Sequence, residues 1–305
     1  CSPPSLIRRF AMLTLDEMAE IQDRAIDKGQ RLPHLEARIA QDGRWALEYA
    51  KATGPFPAGE PAIASISDCA FEYASDVLKG PFPAGEPAIA LDAQRSIFYA
   101  LNVLKGPFPA GVSAMATKPS VAVSYAFHVL KGRFFAAESI IATSAEHAVL
   151  YAKSVLKGPW PLAEQAISTD SLWSTEYAQD VLNGPFPMGE PAILNHARSA
   201  LHYACFVLKG PFPAAEHLFT NDSYMALEYA RLALRGRFAA GEPAIMKKKN
   251  TREPYLAMLY LAKFRPTNAP VETGNTPDDY PHTCPSCGAP AYIGFSSVNC
   301  SAGCC

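Results

Sequence analysis

The 305-residue chain has little net charge and no long apolar run. Its 27 basic and 29 acidic residues leave a net charge of −2. This balance indicates no general attraction to nucleic acid or to an anionic membrane, although a local basic strip is compatible with it. No apolar run approaches the roughly 20 residues of a membrane-spanning helix.

The common catalytic motifs are also absent from the sequence. No P-loop, GxSxG, HExxH or dinucleotide-binding motif occurs. The seven histidines show neither a metal-binding spacing nor a nucleophile nearby at a fixed distance. The sequence therefore predicts that the protein is not an enzyme.

Cysteines are few outside the C-terminal tail. Cys1, Cys69 and Cys205 are scattered, and the other five lie between positions 284 and 305. A secreted disulfide protein would distribute its cysteines differently, so the pattern favours a reducing compartment.

A phrase of 26 residues recurs along most of the chain. It can be aligned on one glycine: Gly54, Gly80, Gly106, Gly132, Gly158, Gly184, Gly210 and Gly236. Two residues later stands an aromatic residue: Phe56, Phe82, Phe108, Phe134, Trp160, Phe186, Phe212 and Phe238. Nineteen residues after the glycine stands a tyrosine: Tyr73, Tyr99, Tyr125, Tyr151, Tyr177, Tyr203, Tyr229 and Tyr255. A fixed period with fixed aromatic positions predicts stacked repeats, each burying its apolar face on its neighbours.

The unit from Gly80 to Lys105 predicts a turn, a short helix and a longer helix. Two prolines and a glycine exclude a helix at the start, and Glu86-Pro87 suits a first helical turn. Asp92 is expected to cap the second helix. Lys105 is expected in its last turn, and Gly106 is expected to end it in the left-handed conformation.

We therefore predict an all-α fold, an α-solenoid of 26-residue two-helix repeats with a small C-terminal zinc-ribbon module. About eight or nine helical pairs are expected. A closed ring or a globular helical bundle built from the same repeats is the alternative. The predicted domains are an N-terminal helical cap (1–29), the solenoid (30–264), a linker (265–281) and the ribbon (282–305).

Fixed repeat positions become columns in such an array, and two of these columns are charged. The basic column precedes each glycine and comprises Lys79, Lys105, Lys131, Lys157, Lys209 and Arg235, with Asn183 as the exception and with Arg133 and Arg237 extending it. The acidic column comprises Glu60, Glu86, Glu138, Glu164, Glu190, Glu216 and Glu242, and Val112 interrupts it. The basic column suits a polyanion or an acidic partner. Alternatively, it pairs with the glutamates of the next unit at the helix ends, which is the interpretation we favour.

Large apolar residues occupy positions of the second helix that are expected to face outward. They are Phe98, Leu101, Val121, Phe127, Leu172, Trp173, Phe206, Tyr224 and Met225. They predict a surface for protein partners or for self-association. The alternative is ordinary core, since solenoid helices bury a wide arc against both neighbours.

The tail carries two cysteine pairs, Cys284-Pro-Ser-Cys287 and Cys300-Ser-Ala-Gly-Cys304, with Cys305 directly following. Two such pairs around a short hairpin form a typical ligand set for structural Zn²⁺. Cys284, Cys287 and Cys300 are the predicted ligands, with Cys304 preferred to Cys305 as the fourth. Disulfides or a redox pair are the alternatives. Residues 291–298 are expected to form the strand pair.

The string YA-x2-VLKGPFP-x-GEPAIA at positions 73–90 resembles a repeat family of tailed bacteriophages, chiefly large myoviruses. Some members carry a terminal CPxCG ribbon followed by YxGF, and here Cys284-Pro-Ser-Cys287-Gly and Tyr292-Ile-Gly-Phe295 correspond. The resemblance covers roughly residues 30–305 and implies an origin and an architecture more than an activity. Val112 and Phe135 depart from the motif, as expected of repeats specialised for individual contacts.

The leading functional hypothesis is a phage-encoded scaffold without chemistry of its own, which binds protein partners in the virion, during assembly or on a host factor. It would act in the host cytoplasm or in the virion. The alternative is nucleic-acid binding through the Lys/Arg column and the ribbon, with an affinity that falls steeply with salt.

Overall fold

The computed structural model describes residues 13–247, 255–264, 291–293 and 298–300. The chain divides into two compact units, Cys1–Met246 and Lys247–Cys305. The first unit contains the repeats up to the first helix of the repeat that begins at Gly236. The predicted domain boundaries at 264 and 281 stay predictions.

Each repeat of the first unit contains a short first helix and a longer second helix, as the sequence predicts. The first helices are Pro33–Ile39, Glu60–Ala64, Glu86–Ala90, Val112–Met115, Glu138–Ile141, Pro161–Ile167, Glu190–Ile193, Glu216–Phe219 and Glu242–Lys247. A single 3₁₀ turn precedes several of them: Pro57–Gly59, Pro109–Gly111, Phe135–Ala137 and Pro213–Ala215. Proline fits there because the first N–H of a helix has no intrahelical partner.

The second helices begin as α-helices, several of them behind an aspartate cap. Their α-helical parts are Gly43–Thr53, Ser67–Glu72, Ala93–Phe98, Pro119–Ser124, Ala145–Tyr151, Ser171–Glu176, Ala197–His202 and Ser223–Glu228. The predicted cap is confirmed, since the Asp92 carboxylate accepts a 2.8 Å hydrogen bond from the Arg95 N–H. Asp170 and Asp222 cap their helices in the same way.

In the seven repeats that begin at Gly54 through Gly210, the second helix continues as a π-helix at its tyrosine or just after it. The π-helical parts are Tyr73–Leu78, Tyr99–Leu104, Tyr125–Leu130, Ala152–Leu156, Tyr177–Leu182, Tyr203–Leu208 and Tyr229–Leu234. This wider winding was not predicted from the sequence. A run of six π-helical residues is long for a conformation that usually appears as a single-turn bulge.

The length of the repeat follows from this winding. In the unit before Gly54 the second helix stays α-helical, and the Gly54 N–H donates to the Ala50 carbonyl at 2.9 Å, four residues back. In the next repeat the Gly80 N–H donates to the Ala74 carbonyl at 3.0 Å, six residues back. The two additional residues between alanine and glycine are therefore the residues that the π-helix accommodates.

The left-handed residue at the end of the second helix is the one before the predicted glycine. The basic column adopts positive φ: Lys79 (52°), Lys105 (53°), Lys131 (52°), Lys157 (56°), Asn183 (52°), Lys209 (51°) and Arg235 (51°). Gly106 has no positive φ, so the prediction that it adopts the left-handed conformation is wrong. The N–H groups of Lys105 and Gly106 both donate to the Ala100 carbonyl, which closes the C-terminal end of the π-helix.

Neighbouring repeats stack along the first unit, which confirms the predicted tandem helical array. Each second helix contacts the second helix of the next repeat, and it also contacts the first helix of the next repeat. The buried column of the first helices comprises Ile63, Ile89, Met115, Ile141, Ile167, Ile193, Phe219 and Ile245, all without exposed surface. The core is therefore continuous from repeat to repeat, as in a solenoid.

The array begins with the predicted helical cap. Leu15–Glu20 is α-helical and Ile21–Ile26 is π-helical. The Thr14 hydroxyl accepts from the Glu17 N–H, while the Glu17 carboxylate accepts from the Thr14 N–H, which is a complete capping box.

The second unit contains the helix Tyr255–Phe264 and a two-stranded antiparallel sheet. Its strands are Ala291–Ile293 and Val298–Cys300, with Ala291 opposite Cys300 and Ile293 opposite Val298. Of the helices in the described part of the chain, none combines the length and the apolar character that crossing a bilayer requires.

Replacing Lys105 with glycine is expected to raise the free energy of unfolding by about 1 kcal/mol, because a Cβ is strained in the left-handed region and glycine carries none. The measurement is urea-induced unfolding of the whole chain. Lys105→Ala is the matched control, since it removes the same charge but keeps the Cβ, and it should give no gain. Equal gains in both variants would show that the charge, rather than the backbone conformation, sets the difference.

Candidate functional site

The buried tyrosine of each repeat joins the two helices and the turn of its own repeat. Its hydroxyl accepts a hydrogen bond from the backbone N–H of the aromatic residue in the turn, as from Phe56 to Tyr73 at 3.1 Å. The same hydroxyl donates to the glutamate of the first helix, as from Tyr73 to Glu60 at 2.9 Å. The same pair of bonds recurs at Tyr99, Tyr151, Tyr177, Tyr203 and Tyr229.

The ring of the same tyrosine contacts the next repeat. Tyr73 and Phe82 have ring centroids 5.0 Å apart, and the pair Tyr151 and Trp160 has the same separation. Because each ring touches the next turn while each hydroxyl binds its own turn, the aromatic residues form a continuous ladder through the array. Offset and edge-to-face pairs of this kind each contribute about 0.5–1.5 kcal/mol beyond their buried area.

These hydroxyls are protonated at neutral pH, so they can donate, and burial stabilises the protonated form further. Removal from water raises the pKa of Tyr73, Tyr99, Tyr151, Tyr177 and Tyr229 to about 12. Within repeat 132–157, hydrogen bonds from the Arg133 guanidinium lower the pKa of the Glu138 carboxyl below its ordinary value. These groups serve the fold, and their arrangement does not place a nucleophile beside a base.

Two units differ from the other repeats at one residue of the ladder. In the unit before Gly54, Leu32 replaces the turn aromatic, and the Tyr49 hydroxyl still accepts from its N–H at 2.8 Å and donates to Glu36 at 2.8 Å. In repeat 106–131, Val112 stands in the acidic column. There the Tyr125 hydroxyl accepts from Phe108 at 3.1 Å, and no acceptor for its own proton occurs among the described residues.

The basic column is exposed and makes no ion pair within the part of the chain that the structure describes. The favoured interpretation, that these cations pair with glutamates of the next unit, is therefore wrong. The glutamates are held by the tyrosines instead. Arg133 and Arg237, which were predicted to extend the basic column, bind Glu138 and Glu242 of their own repeats at 2.7–2.8 Å.

The predicted apolar surface of the second helices is exposed in part. The repeats from 106 to 235 each expose one large apolar side chain there: Phe127 (48%), Leu150 (39%), Leu172 (52%), Phe206 (50%) and Tyr224 (60%). We call these five residues the apolar face. Phe98, Leu101, Trp173 and Met225 are half-buried. Val121 is buried, so its placement on the outside was wrong.

Two shallow grooves lie between neighbouring second helices. One, of about 390 Å³, is lined by Phe98 and Leu101 together with Ile97, Ser124 and His128. The other, of about 530 Å³, is lined by Phe206 together with Lys153, Asp180, Asn183 and Lys209. An ion pair at 2.5 Å between Lys153 and Asp180 connects the helices beside the second groove. The structure thus brings Phe98 next to Leu101, and Phe206 next to Lys209.

A further set of exposed apolar side chains, not predicted as a site, lies on the turns and at the start of one first helix. Phe135 (72%), Leu162 (63%) and Met188 (50%) belong to three successive repeats. The turns of most other repeats carry proline and alanine at the two corresponding positions, as in Pro83-Ala84. The sequence already shows Phe135 as a departure from the repeat pattern, but Phe135 was not predicted to belong to a site.

The predicted metal ligands fall almost entirely outside the described residues. Cys284, Cys287 and Cys304 are outside them, and Cys300 ends the second strand opposite Ala291. In residues 13–247 and the other described segments, no group of histidine, cysteine and carboxylate side chains could hold a metal ion. Cys69 and Cys205 are free and buried, and burial raises the pKa of both thiols, that of Cys205 to about 11.

Comparison with known proteins found no matching family, no matching curated protein and no matching solved structure.

Val112→Glu is expected to stabilise repeat 106–131 by about 1 kcal/mol, because it supplies the acceptor that the Tyr125 hydroxyl lacks. The measurement is the free energy of unfolding in urea, followed in a double-mutant cycle with Tyr125→Phe. The gain from the glutamate should disappear in the phenylalanine background. A gain that persists there would show that the carboxylate acts through another contact, such as the helix N-terminus.

Proposed function

We propose that the protein is a non-enzymatic repeat scaffold that binds protein partners through the apolar face of its second helices. The observation that supports the proposal most directly is that five successive repeats each expose a large apolar side chain on this face. Exposed large apolar side chains that recur along one row of helices are typical of surfaces used for binding.

The interior side chains of each repeat are already bound to one another, so only the outer side chains are available to a partner. The tyrosine, the turn aromatic and the glutamate of each repeat are bound to one another, as in Phe82, Tyr99 and Glu86. The outer positions of the second helix take no part in this ladder, and they differ from repeat to repeat. A surface whose side chains vary on a constant frame suits recognition of a particular partner.

The resemblance to phage repeat proteins supports a proposal about where the protein acts and with which partners. On that basis we propose a phage-encoded protein that acts in the host cytoplasm or in the virion, with virion proteins, host factors or other copies of itself as partners. The proposal assigns no chemistry to the chain.

Nucleic-acid binding is the second candidate, and the basic column is the observation that favours it. Lys79, Lys105, Lys131, Lys157 and Lys209 are exposed and unpaired within residues 13–247. A regular line of free cations suits the regular charges of a polyanion, and its binding would weaken steeply with salt.

The partner-binding proposal predicts that Phe127→Ala, Leu172→Ala and Phe206→Ala together weaken binding by at least about tenfold without lowering the melting temperature. Proteins captured from infected-cell lysate by the wild-type chain would be purified, and their affinities measured by calorimetry. Leu91→Ala is the control, because this loop leucine is 85% exposed but lies off the apolar face.

Two results would contradict the proposal. Captured proteins that bind the triple variant as tightly as the wild type would exclude the apolar face. Capture that disappears after nuclease treatment, and falls with salt, would favour the nucleic-acid candidate instead.

We also propose that Cys284, Cys287, Cys300 and Cys304 hold a structural Zn²⁺. The strand pairing supports this, because it sets Cys300 opposite Ala291, the strand residue that follows Cys287 by four positions. Four thiolates would satisfy zinc completely and so leave no open position for catalysis.

Purified protein is expected to contain one equivalent of zinc, which Cys284→Ser with Cys287→Ser removes and Cys205→Ala keeps. Elemental analysis gives the metal content, and thiol titration in denaturant gives the free cysteines. A metal-free protein with disulfide-bonded tail cysteines would contradict the site. Cys205 is a suitable control because it is buried in the first unit.

A further inference from the structure

We propose that the turns of three successive repeats form a second docking site, which binds an acidic peptide segment carrying aromatic or aliphatic side chains. The site consists of Phe135, Leu162 and Met188, called here the turn patch. It lies on the turns and, at Leu162, on the start of the first helix Pro161–Ile167, whereas the apolar face lies on the second helices. The inference therefore goes beyond the proposed function and does not depend on it.

The first observation is the departure of these turns from the repeat pattern. Proline stands where Phe135 is in Pro57, Pro83, Pro109, Pro161, Pro187 and Pro213, and alanine stands where Leu162 and Met188 are in Ala58, Ala84, Ala110, Ala136 and Ala214. Phe135 and Leu162 are more than half exposed, and Met188 is half exposed. Their burial against a partner would therefore contribute free energy that the fold does not already use.

The second observation is that part of the patch is held in place before any partner arrives. The Arg133 guanidinium lies 4.6 Å from the centroid of the Phe135 ring. The same guanidinium binds the Glu138 carboxylate through two hydrogen bonds of 2.8 and 2.7 Å. A ring fixed in this way loses little conformational freedom on binding.

The third observation is the sign of the charges that a partner would meet. Lys131 and Lys157 are exposed on the same turns and make no ion pair within residues 13–247. The first-helix carboxylates of these repeats are already bound, because the hydroxyls of Tyr151, Tyr177 and Tyr203 donate to Glu138, Glu164 and Glu190 at 3.0 Å. Of the charged residues at these turns, Lys131 and Lys157 are thus left without an ion pair, and their sign favours an acidic partner.

The spacing of the repeats sets the size of the segment. Packed helices lie roughly 8–10 Å apart, so two repeat steps separate Phe135 from Met188 by roughly 16–20 Å. An extended peptide of about six residues spans this distance.

The test uses the whole chain and synthetic polymers of defined chemistry. A random copolymer of glutamate and tyrosine is the probe, and polyglutamate and a lysine–tyrosine copolymer are the comparisons, with binding followed by fluorescence anisotropy. We expect the glutamate–tyrosine copolymer to bind, polyglutamate to bind at least about tenfold more weakly, and the lysine–tyrosine copolymer not to bind.

The variant Phe135→Pro with Leu162→Ala and Met188→Ala gives each turn the residues of the other repeats, so it is expected to keep the fold. It should weaken binding of the glutamate–tyrosine copolymer by at least about tenfold. The substitutions Phe127→Ala, Leu172→Ala and Phe206→Ala on the apolar face are the matched control and should leave this binding unchanged. Phe135→Ala replaces Phe135→Pro if the urea midpoint of the proline variant falls.

Three results would overturn the inference. The first is equal binding of polyglutamate and of the glutamate–tyrosine copolymer, or no binding of either. The second is unchanged binding by the turn-patch variant. The third is self-association of the wild type in sedimentation that the turn-patch variant abolishes, which would make the patch a contact between copies of this chain. None of these results bears on the apolar face, so the two surfaces are tested separately.

Discussion

The buried tyrosine hydroxyl is the constraint on which the repeat depends. It must find both a donor and an acceptor, because an unpaired buried hydroxyl costs about 1–3 kcal/mol. The turn N–H and the first-helix glutamate supply them, as Phe82 and Glu86 do for Tyr99. The tyrosine side chain thereby fixes the turn, the first helix and the second helix of its repeat. Its ring also packs against the aromatic residue of the next turn.

This ladder explains why the two charged columns have different roles. The glutamates look like surface charges in the sequence, yet their carboxylates complete a hydrogen-bond chain that begins at a buried backbone N–H. The lysines have no such task and extend into solvent. Single repeats therefore differ from the others at the turns and on the outer face, as at Phe135 and Phe127, while the residues of the ladder stay nearly the same. Val112 is the exception within residues 13–247, since it removes the acceptor of Tyr125.

Much of the fold could be predicted from the sequence, because the period and the aromatic positions define both helices and the buried tyrosines. Asp92 as a helix cap follows from its place before an apolar stripe. The π-helices could not be predicted, since Tyr73–Leu78 carries residues that fit an α-helix equally well. The left-handed residue was misplaced because glycine is the usual choice there, and Lys105 adopts it next to a glycine that does not. Of the predicted outer positions, Phe127 is exposed as predicted, whereas Val121 faces the core because the helix buries a wide arc.

The left-handed lysines carry a backbone strain that no contact within the described residues offsets. A left-handed conformation costs a residue with a Cβ roughly 1–2 kcal/mol, and glycine would avoid that cost. Asn183 shows that a residue better suited to this conformation is compatible with the repeat, yet five of the seven left-handed positions carry lysine and one carries arginine. Within the described residues these cations gain no ion pair that would offset the strain. Strain of this kind points to a role outside the fold, and an anionic partner lying along the turns would provide one, whether it is a peptide on the turn patch or a longer polyanion on the basic column.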